Sequence, residues 1–556
     1  MKKHVTYIFV LLLISVAIAG LPNFVSGQFP VWKDSIAVAC SVKHIGENGE
    51  LGLGDNFYIN FDNVNIPYCW DKNVYPLNQI YMYAFSSFSS IDPAMTVTLV
   101  YILIYLLIVT AVYLVAWELY NKHHLAFLSA ILAGTSLALL RILTISPQQL
   151  FGFLLILFIV WNLLQYKKTN QKKYLLLILI TVLNLALIHQ LSLVVVSIAL
   201  VIYFISIIKK KVLIIPFLLV AFSIIAFGLY IFSSGNNPLD YILKTIYYAS
   251  TIGMSNLLPA HPIWEHPAIL GYFLSIFGLF GALINLFTKK SPLKVFWWSM
   301  ILFCLFMTHS YLLGFYFVGY RFLFFLFLPL SLLAPIFFVK ISGAFGKSAR
   351  YPIAIIIILS ILASGIHGVN FLLDNYNGLS KPVLPTKEYR EAITWLNDHS
   401  NKTDTVLTTI RNDQKYGTFL PYLYNGNVMI FPTFYFHKPM EFEFRGDENT
   451  YSYSGQSANP TTVIGKLIKP YVINTEDDEK EFISSYEDQR QVLYEMFKMT
   501  YYPKDIESQE YLDKYDIRFV IIWRGKPESQ IYANTSEFKK VYQTESIAIY
   551  QYTKLN

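Results

Sequence analysis

Runs of about 20 apolar residues recur along this chain, and each is long enough to cross the hydrocarbon core of a bilayer as an α-helix. They lie near 4–20, 97–117, 125–145, 150–165, 174–189, 191–208, 212–233, 267–288, 294–309, 315–338 and 352–373, about eleven in all. In lipid the backbone must satisfy its own hydrogen bonds, which leaves helices or closed barrels. Runs of this length select helices, so the sequence predicts a polytopic α-helical membrane protein. Composition points the same way: 14% of residues are charged, against roughly 25% in soluble domains, and the mean hydropathy is +0.45. The net charge of +7 is spread over short lysine clusters between apolar runs. It makes no footprint for nucleic acid.

Those clusters orient the chain. Lys2/Lys3, Lys122, Lys167/Lys168/Lys172/Lys173, Lys209/Lys210/Lys211, Lys289/Lys290/Lys294 and Lys340/Lys347/Arg350 mark cytoplasmic ends by the positive-inside rule. Loops 21–93, 146–149 and 234–266, and everything after about residue 374, then face outward. Two sequons, Asn401-Lys402-Thr403 and Asn534-Thr535-Ser536, fall in that outward part. The first run follows Lys2-Lys3 and reads as a retained helix; Ala17-Ile18-Ala19 would make it a cleaved signal peptide instead. Three cysteines build no disulfide framework. Cys40 and Cys69 share an outward loop, where oxidising conditions would let them pair.

After residue 374 charged and turn residues become frequent. Thr386–His399 reads as an amphipathic helix with Tyr389, Ala392, Ile393 and Leu396 on one stripe. Thr405–Ile410, Val428–Phe434 and Glu545–Tyr552 read as strands, Glu479–Met499 as helix, and Tyr511–Trp523 as helix, turn and strand. Intermixed helices and strands suggest a small α/β domain. The division is a transmembrane domain over 1–373 and a C-terminal extracytoplasmic α/β domain over 374–556.

Chemistry-bearing residues gather in the outward loops and helix ends. Asp34 lies soon after the first run, followed by Asp55, Asp62 and Asp71. A carboxylate just outside a bilayer can bind a divalent cation or act as a general base; the plain alternative is a solvated loop carboxylate. Arg321, in Gly319-Tyr320-Arg321-Phe322, stands toward the outer edge of an apolar run. Arginine at a span's centre costs roughly 2.5–3.5 kcal/mol on insertion scales, so it needs a partner or a wet cavity. Its planar donors suit phosphate, while snorkelling to the interface is the simpler account. His261 and Glu265, in the stretch 259–267, can orient a substrate or ligate a metal. His189 at an outer helix end reads first as a cap. Arg141 resembles Arg321, and His309 can line the same cavity. Neither a Walker-type loop nor Gly-x-Gly-x-x-Gly is present.

Read in order, Asp34, Gly49-Glu50-Leu51-Gly52-Leu53-Gly54-Asp55, Tyr75-Pro76, His189-Gln190-Leu191-Ser192 and Tyr320-Arg321-Phe322 resemble the GT-C superfamily of polyprenyl-phosphate-dependent membrane glycosyltransferases. The order and sidedness of these motifs carry the resemblance. It implies a general base at Asp34, a donor-phosphate ligand at Arg321, and substrate or metal contacts from Asp55, His189, His261 or Glu265. A divalent cation (Mg or Mn) would be its cofactor. Membrane lipid, a polyprenyl-phosphate sugar donor and an external acceptor would be its partners, in a multi-pass protein of the cell membrane. Two departures stand out. The family's second acidic motif is replaced by Ser146-Pro147-Gln148-Gln149, and the Trp-Trp-Asp motif of oligosaccharyltransferases is missing. A non-catalytic GT-C-like binding protein and a lipid or solute transporter are the rival expectations; no paired hydropathy between chain halves supports the transporter.

Overall fold

The computed structural model describes residues 2–26, 33–49, 76–145, 148–207, 263–287, 292–309, 319–345, 350–377, 387–401, 403–408, 423–424, 427–430, 495–496, 498–500, 502–524 and 527–553. The predicted run 212–233, most of the loop 234–266, and Asp55, Asp62, Cys69, Asp71 and His261 lie outside them.

The helices of the first half are α1 (Lys2–Ser26), α2 (Lys33–Asn48), α3 (Pro76–Ser89), α4 (Pro93–Tyr120), α5 (His123–Gly134), α6 (Leu137–Ile145), α7 (Gln148–Thr169), α8 (Lys173–Ile188) and α9 (Gln190–Ile207). Then follow α10 (His266–Leu270), α11 (Tyr272–Leu286), α12 (Pro292–Thr308), α13 (Gly319–Phe325), α14 (Phe327–Phe345) and α15 (Arg350–Asn377). Among the described residues, α1, α4, α7 and α14 are each long and apolar enough to cross a membrane, and the bent pair α5–α6 makes a fifth. The chain is a helical membrane protein.

Local chemistry sets the helix ends. Asp92 caps α4: its carboxylate accepts from the amides of Ala94 and Met95 at 2.9 and 3.2 Å, and Pro93 opens the first turn. The α5–α6 pair bends by 51° at Thr135-Ser136. A bend inside lipid frees backbone carbonyls that need new donors. The Tyr105 hydroxyl supplies one, donating to the Gly134 carbonyl at 2.6 Å, and Thr135 and Ser136 turn their hydroxyls back to Ile131 and Ala133. Where α11 lies along α14, a Cβ on Gly278 would sit 2.6 Å from Leu330 Cβ, and one on Gly281 would sit 2.2 Å from the Leu333 carbonyl oxygen. These two positions must be glycine for the backbones to approach so closely.

Contacts fix the direction of the helices. His4 Nδ1 lies 3.3 Å from the Tyr113 hydroxyl, which is 2.9 Å from His123 Nδ1. Lys168 pairs with Glu118 at 3.5 Å. The start of α1, the end of α4 and the end of α7 therefore share one end of the bundle, the lysine-bearing end. The end of α6, the start of α7, the break at His189 and the starts of α10 and α13 fall at the other.

Two sequence expectations are corrected here. The stretch 21–93 is not all loop: α1 runs on to Ser26, and α2 and α3 lie within it. Helix α2 packs on α3 and α4 and buries Val38, Ala39, Cys40, Ser41, Val42 and Ile45. Cys40 is free among the described residues and buried in that packing; Cys69, which could pair with it, lies outside them. The run 315–338 is two helices, α13 and α14, broken at Leu326, the second reaching Phe345.

The C-terminal part holds α16 (Lys387–His399), β1 (Thr405–Thr408), β2 (Asn427–Ile430), α17 (Ile506–Lys514), β3 (Ile517–Trp523), α18 (Pro527–Ala533), β4 (Phe538–Gln543) and β5 (Ile547–Tyr552). The five strands form one sheet, ordered β2-β1-β3-β5-β4. The β2-β1-β3 pairings are parallel, and β3-β5 and β5-β4 are antiparallel. Alternate residues face opposite ways. Val406, Phe519, Ile521 and Ile549 pack with Tyr389, Ala392, Ile393 and Leu396 of α16. Leu407, Val520, Ile522 and Tyr550 pack with Met496, Met499, Leu512 and Tyr532 on the other face. The predicted amphipathic helix thus forms as read. Helix α18 and β4 were not anticipated.

Candidate functional site

The first turn of α7 sits where the resemblance expects an acid. Gln148 and Gln149 are buried. Among the described residues neither amide atom of Gln149 has a hydrogen-bond partner. A buried polar group left unsatisfied costs about 1–3 kcal/mol, so such a group calls for an explanation. One turn on, Gly152 gives this face its reach. A Cβ there would lie 2.2 Å from Ser192 Oγ and 3.4 Å from His189 Cβ. The α7 backbone therefore presses directly on the break between α8 and α9.

His189 makes that break. Its backbone is extended (φ −159°, ψ 97°), and its side chain caps the next helix, as expected. The Ser192 amide donates to His189 Nδ1 at 3.2 Å, and the Ser192 hydroxyl lies 2.7 Å from the same nitrogen. An amide can only donate, so Nδ1 is an acceptor and the proton of the neutral ring sits on Nε2. His189 is 1% exposed, and the Arg321 guanidinium is close enough for its charge to act on the ring.

Arg321 is half-buried in the first turn of α13. Its helix is held by aromatic packing: Phe325, and Phe327 at the start of α14, each contact Phe153 of α7 edge-on with ring centres 4.9 Å apart, and Phe322 meets Phe303 of α12. At the end of α12, His309 stacks on His266 at 5.0 Å and 25°. Arg141 is half-buried on α6, which packs against α10 and α13. Two guanidiniums, three imidazoles and a buried pair of glutamines are thus carried to one end of the bundle by elements in mutual contact. Guanidiniums and imidazole N–H groups are donors suited to a phosphate or another multi-oxygen anion.

Of the residues singled out by sequence, the structure brings His189 and Arg321 together. Glu265 is exposed in a short 3-10 turn, Ile263–Glu265, directly before His266. Asp34 lies in the first turn of α2, but its carboxylate is outside the described side chains. In the sequence Gln149 reads only as a missing acid, and Gly152 carries no signal beyond its place one turn after two glutamines. Among the described residues no three His, Cys, Asp or Glu side chains cluster as metal ligands would.

The described residues thus form a helical bundle with a polar, arginine-bearing end, followed by a five-stranded sheet in the C-terminal part. No family model and no curated sequence matches the chain; solved structures do. The archaeal oligosaccharyltransferase AglB from Archaeoglobus fulgidus, in complex with an inhibitory peptide and a dolichol-phosphate, aligns at a TM-score of 0.56 and 12% identity, over 95% of this chain and 70% of AglB. ArnT from Cupriavidus metallidurans, bound to undecaprenyl phosphate, aligns at 0.56 and 10% identity, over 97% of each chain. The arabinofuranosyltransferase AftD from Mycobacteria aligns at 0.55 and 10% identity, over 100% of this chain and 40% of AftD. At such identities the likeness is one of fold.

Proposed function

We propose that this chain is a membrane glycosyltransferase that takes a sugar from a polyprenyl-phosphate donor and passes it to an acceptor outside the cytoplasm. The carrying observation is the placement of Arg321 at the same polar end of the bundle as the His189 break, within electrostatic reach of it. Support comes from the fold, whose solved examples include ArnT with undecaprenyl phosphate and AglB with a dolichol-phosphate. By the lysine pattern, the lysine-bearing end is cytoplasmic, and the polar end faces outward together with an extracytoplasmic domain over 374–556.

In the proposed reaction Arg321 binds the donor phosphate through its paired N–H groups. Asp34 removes the acceptor's hydroxyl proton, and that oxygen attacks the sugar's anomeric carbon. The anomeric carbon–oxygen bond breaks, and its electron pair leaves on the phosphate, where Arg321 stabilises the added charge. His189, held neutral by Ser192, offers Nε2–H as a further donor without a second full charge. Asp55, His261 and Glu265 are proposed to orient the acceptor or a divalent cation. An oligosaccharyltransferase of the same fold has been crystallised with Zn and sulfate. The described side chains do not by themselves assemble a cation site, so no step is routed through one.

One observation favours a non-catalytic relative: Gln149 occupies the place of the second acid. The deciding experiment measures transfer by the purified chain in lipid, with polyprenyl-phosphate-linked sugars, an acceptor extract, and divalent cation present or absent. Transfer in wild type, lost in Asp34→Asn and in Arg321→Ala, is expected. Undiminished cellular function of an Asp34→Ala, Arg321→Ala double mutant would instead select the binding protein. Substrate flux without sugar transfer would select the transporter.

A further inference from the structure

A groove of about 660 Å³ opens on the C-terminal part, far in sequence from Arg321, between α16 and β4. That volume lies within the roughly 300–1,000 Å³ common for small-molecule sites. Its helical wall is one stripe of α16, with Lys387, Arg390, Glu391, Thr394, Trp395 and Asp398 at three- and four-residue steps. The neighbouring stripe, Tyr389, Ala392, Ile393 and Leu396, faces the sheet core. The groove therefore sits on a helix whose position is already fixed by burial. Tyr542 of β4 completes the wall. A second tether holds the two elements together: Glu388 at the start of α16 accepts from the Ser546 amide at 3.0 Å and from the Ser546 hydroxyl.

The lining is aromatic and polar at once. The Trp395 and Tyr542 rings are inclined by 28° with centres 5.4 Å apart, and His399 stacks on Trp395 at 4.3 Å. Around them stand two cations and two carboxylates, and Lys387 pairs with Glu391 at 3.7 Å. A phosphate or carboxylate ligand would meet Glu391 and Asp398 as well as the cations, so the charge set selects against anions. A lipid chain would find only the two rings as an apolar surface. A sugar ring matches the whole set. Its C–H groups can meet the Tyr542 ring and the part of Trp395 that line the groove, apolar surfaces with a polar handle. Its hydroxyls need acceptors and donors side by side, here the carboxylates, the Arg390 guanidinium and the Thr394 hydroxyl.

We propose that this groove binds a neutral oligosaccharide through Trp395 and Tyr542, with Glu391, Asp398 and Arg390 holding its hydroxyls. Its use as a docking site for the acceptor of the transfer reaction rests on the function proposed above; saccharide binding does not. Burial and the nearby Glu391 and Glu388 carboxylates raise the Tyr542 hydroxyl's pKa above the ordinary tyrosine range, which keeps it a donor.

The test is an array of neutral and acidic oligosaccharides probed with the full-length chain in nanodiscs, followed by titration of the best neutral tetrasaccharide against tryptophan fluorescence. A neutral glycan is expected to bind, at least tenfold more weakly to Tyr542→Ala and several-fold more weakly to Glu391→Gln and Asp398→Asn. The last two sites are exposed, so their variants should fold even if a ring variant does not. Arg321→Ala should bind the glycan unchanged, which separates failure of the groove from failure of the transferase proposal. No neutral glycan bound, binding only of acidic glycans, or binding indifferent to all three variants would overturn the assignment.

Discussion

At the lysine-bearing end of the bundle, charge is handled cheaply. Lys168 extends into solvent, its side chain 65% exposed, and meets Glu118 at 3.5 Å. His4, Tyr113 and His123 share a hydrogen-bonded knot wrapped by Tyr7 and Trp117. At the opposite end the same residue types are drawn inward. Arg141 and Arg321 are half-buried, His189 and His266 are buried, and Gln149 is enclosed with its amide unpartnered among the described residues. Exposed pairs are worth roughly 0–1 kcal/mol, whereas cations inside a membrane are costly and mark function. The asymmetry is one of solvation: the lysine-bearing end keeps its charges in water, and the other end draws them into the protein.

The comparison can be broken most severely at Arg321. Arg321→Ala is expected to lower the initial rate of transfer by about 100-fold or more, the scale of losing one preorganised donor to a developing charge. Arg321→Lys should recover only part, because the ammonium lacks the paired geometry; size-exclusion profiles of both should match wild type. Next comes Gly152→Ala, whose new methyl collides with Ser192. Overpacking of this kind costs about 1–3 kcal/mol, read as a lower thermal midpoint, and should slow transfer by disturbing His189. Adding Ser192→Ala should restore part of the stability, since it removes the closest atom.

Gln149→Leu sharpens the contrast by separating stability from function. If the amide is kept for a ligand, the apolar variant gains up to about 1–2 kcal/mol in unfolding while losing transfer activity. A variant unchanged in both would remove Gln149 from the site. At the lysine-bearing end, Lys168→Ala should alter stability by less than about 0.5 kcal/mol and leave transfer intact.

The smallest effect concerns acid. Hydrogen bonds from Ser546 hold the Glu388 carboxyl below its usual range. A folded-state pKa lowered in this way adds stability above the ordinary carboxylate pKa, and that stability is lost as pH falls through the folded value. Wild type should therefore hold the start of α16 less tightly on acidification, and Glu388→Gln should show a flatter profile. Proteolysis rates of the C-terminal part at pH 3 to 7 would check this.

Much of this molecule was legible in one dimension. Runs of apolar residues gave nearly the right helices because lipid allows them little else, and lysines between the runs ordered their ends. Tyr389, Ala392, Ile393 and Leu396 announced the buried stripe of α16 by spacing alone. Helices α2 and α3 escaped because amphipathic segments lying against other helices lack the long apolar signature of a span. The break at Leu326 escaped because it interrupts hydrogen bonding without interrupting hydrophobicity. Strand β4, with Lys539 and Lys540 both exposed, reads as polar surface until β5 is seen to pair with it.

The sequence by itself determined that the chain enters a membrane, which ends of its helices share a side, and that arginine and histidine stand at the helix ends opposite the lysines. Those properties are local: each follows from a residue's own cost in lipid or in water. Only the tertiary structure decided that Gly152 lets α7 rest on His189, that Arg321 comes within electrostatic reach of the same ring, and that Tyr542 crosses 147 positions of chain to stand beside Trp395. Those are matters of packing, which joins residues by shape rather than by order in the chain.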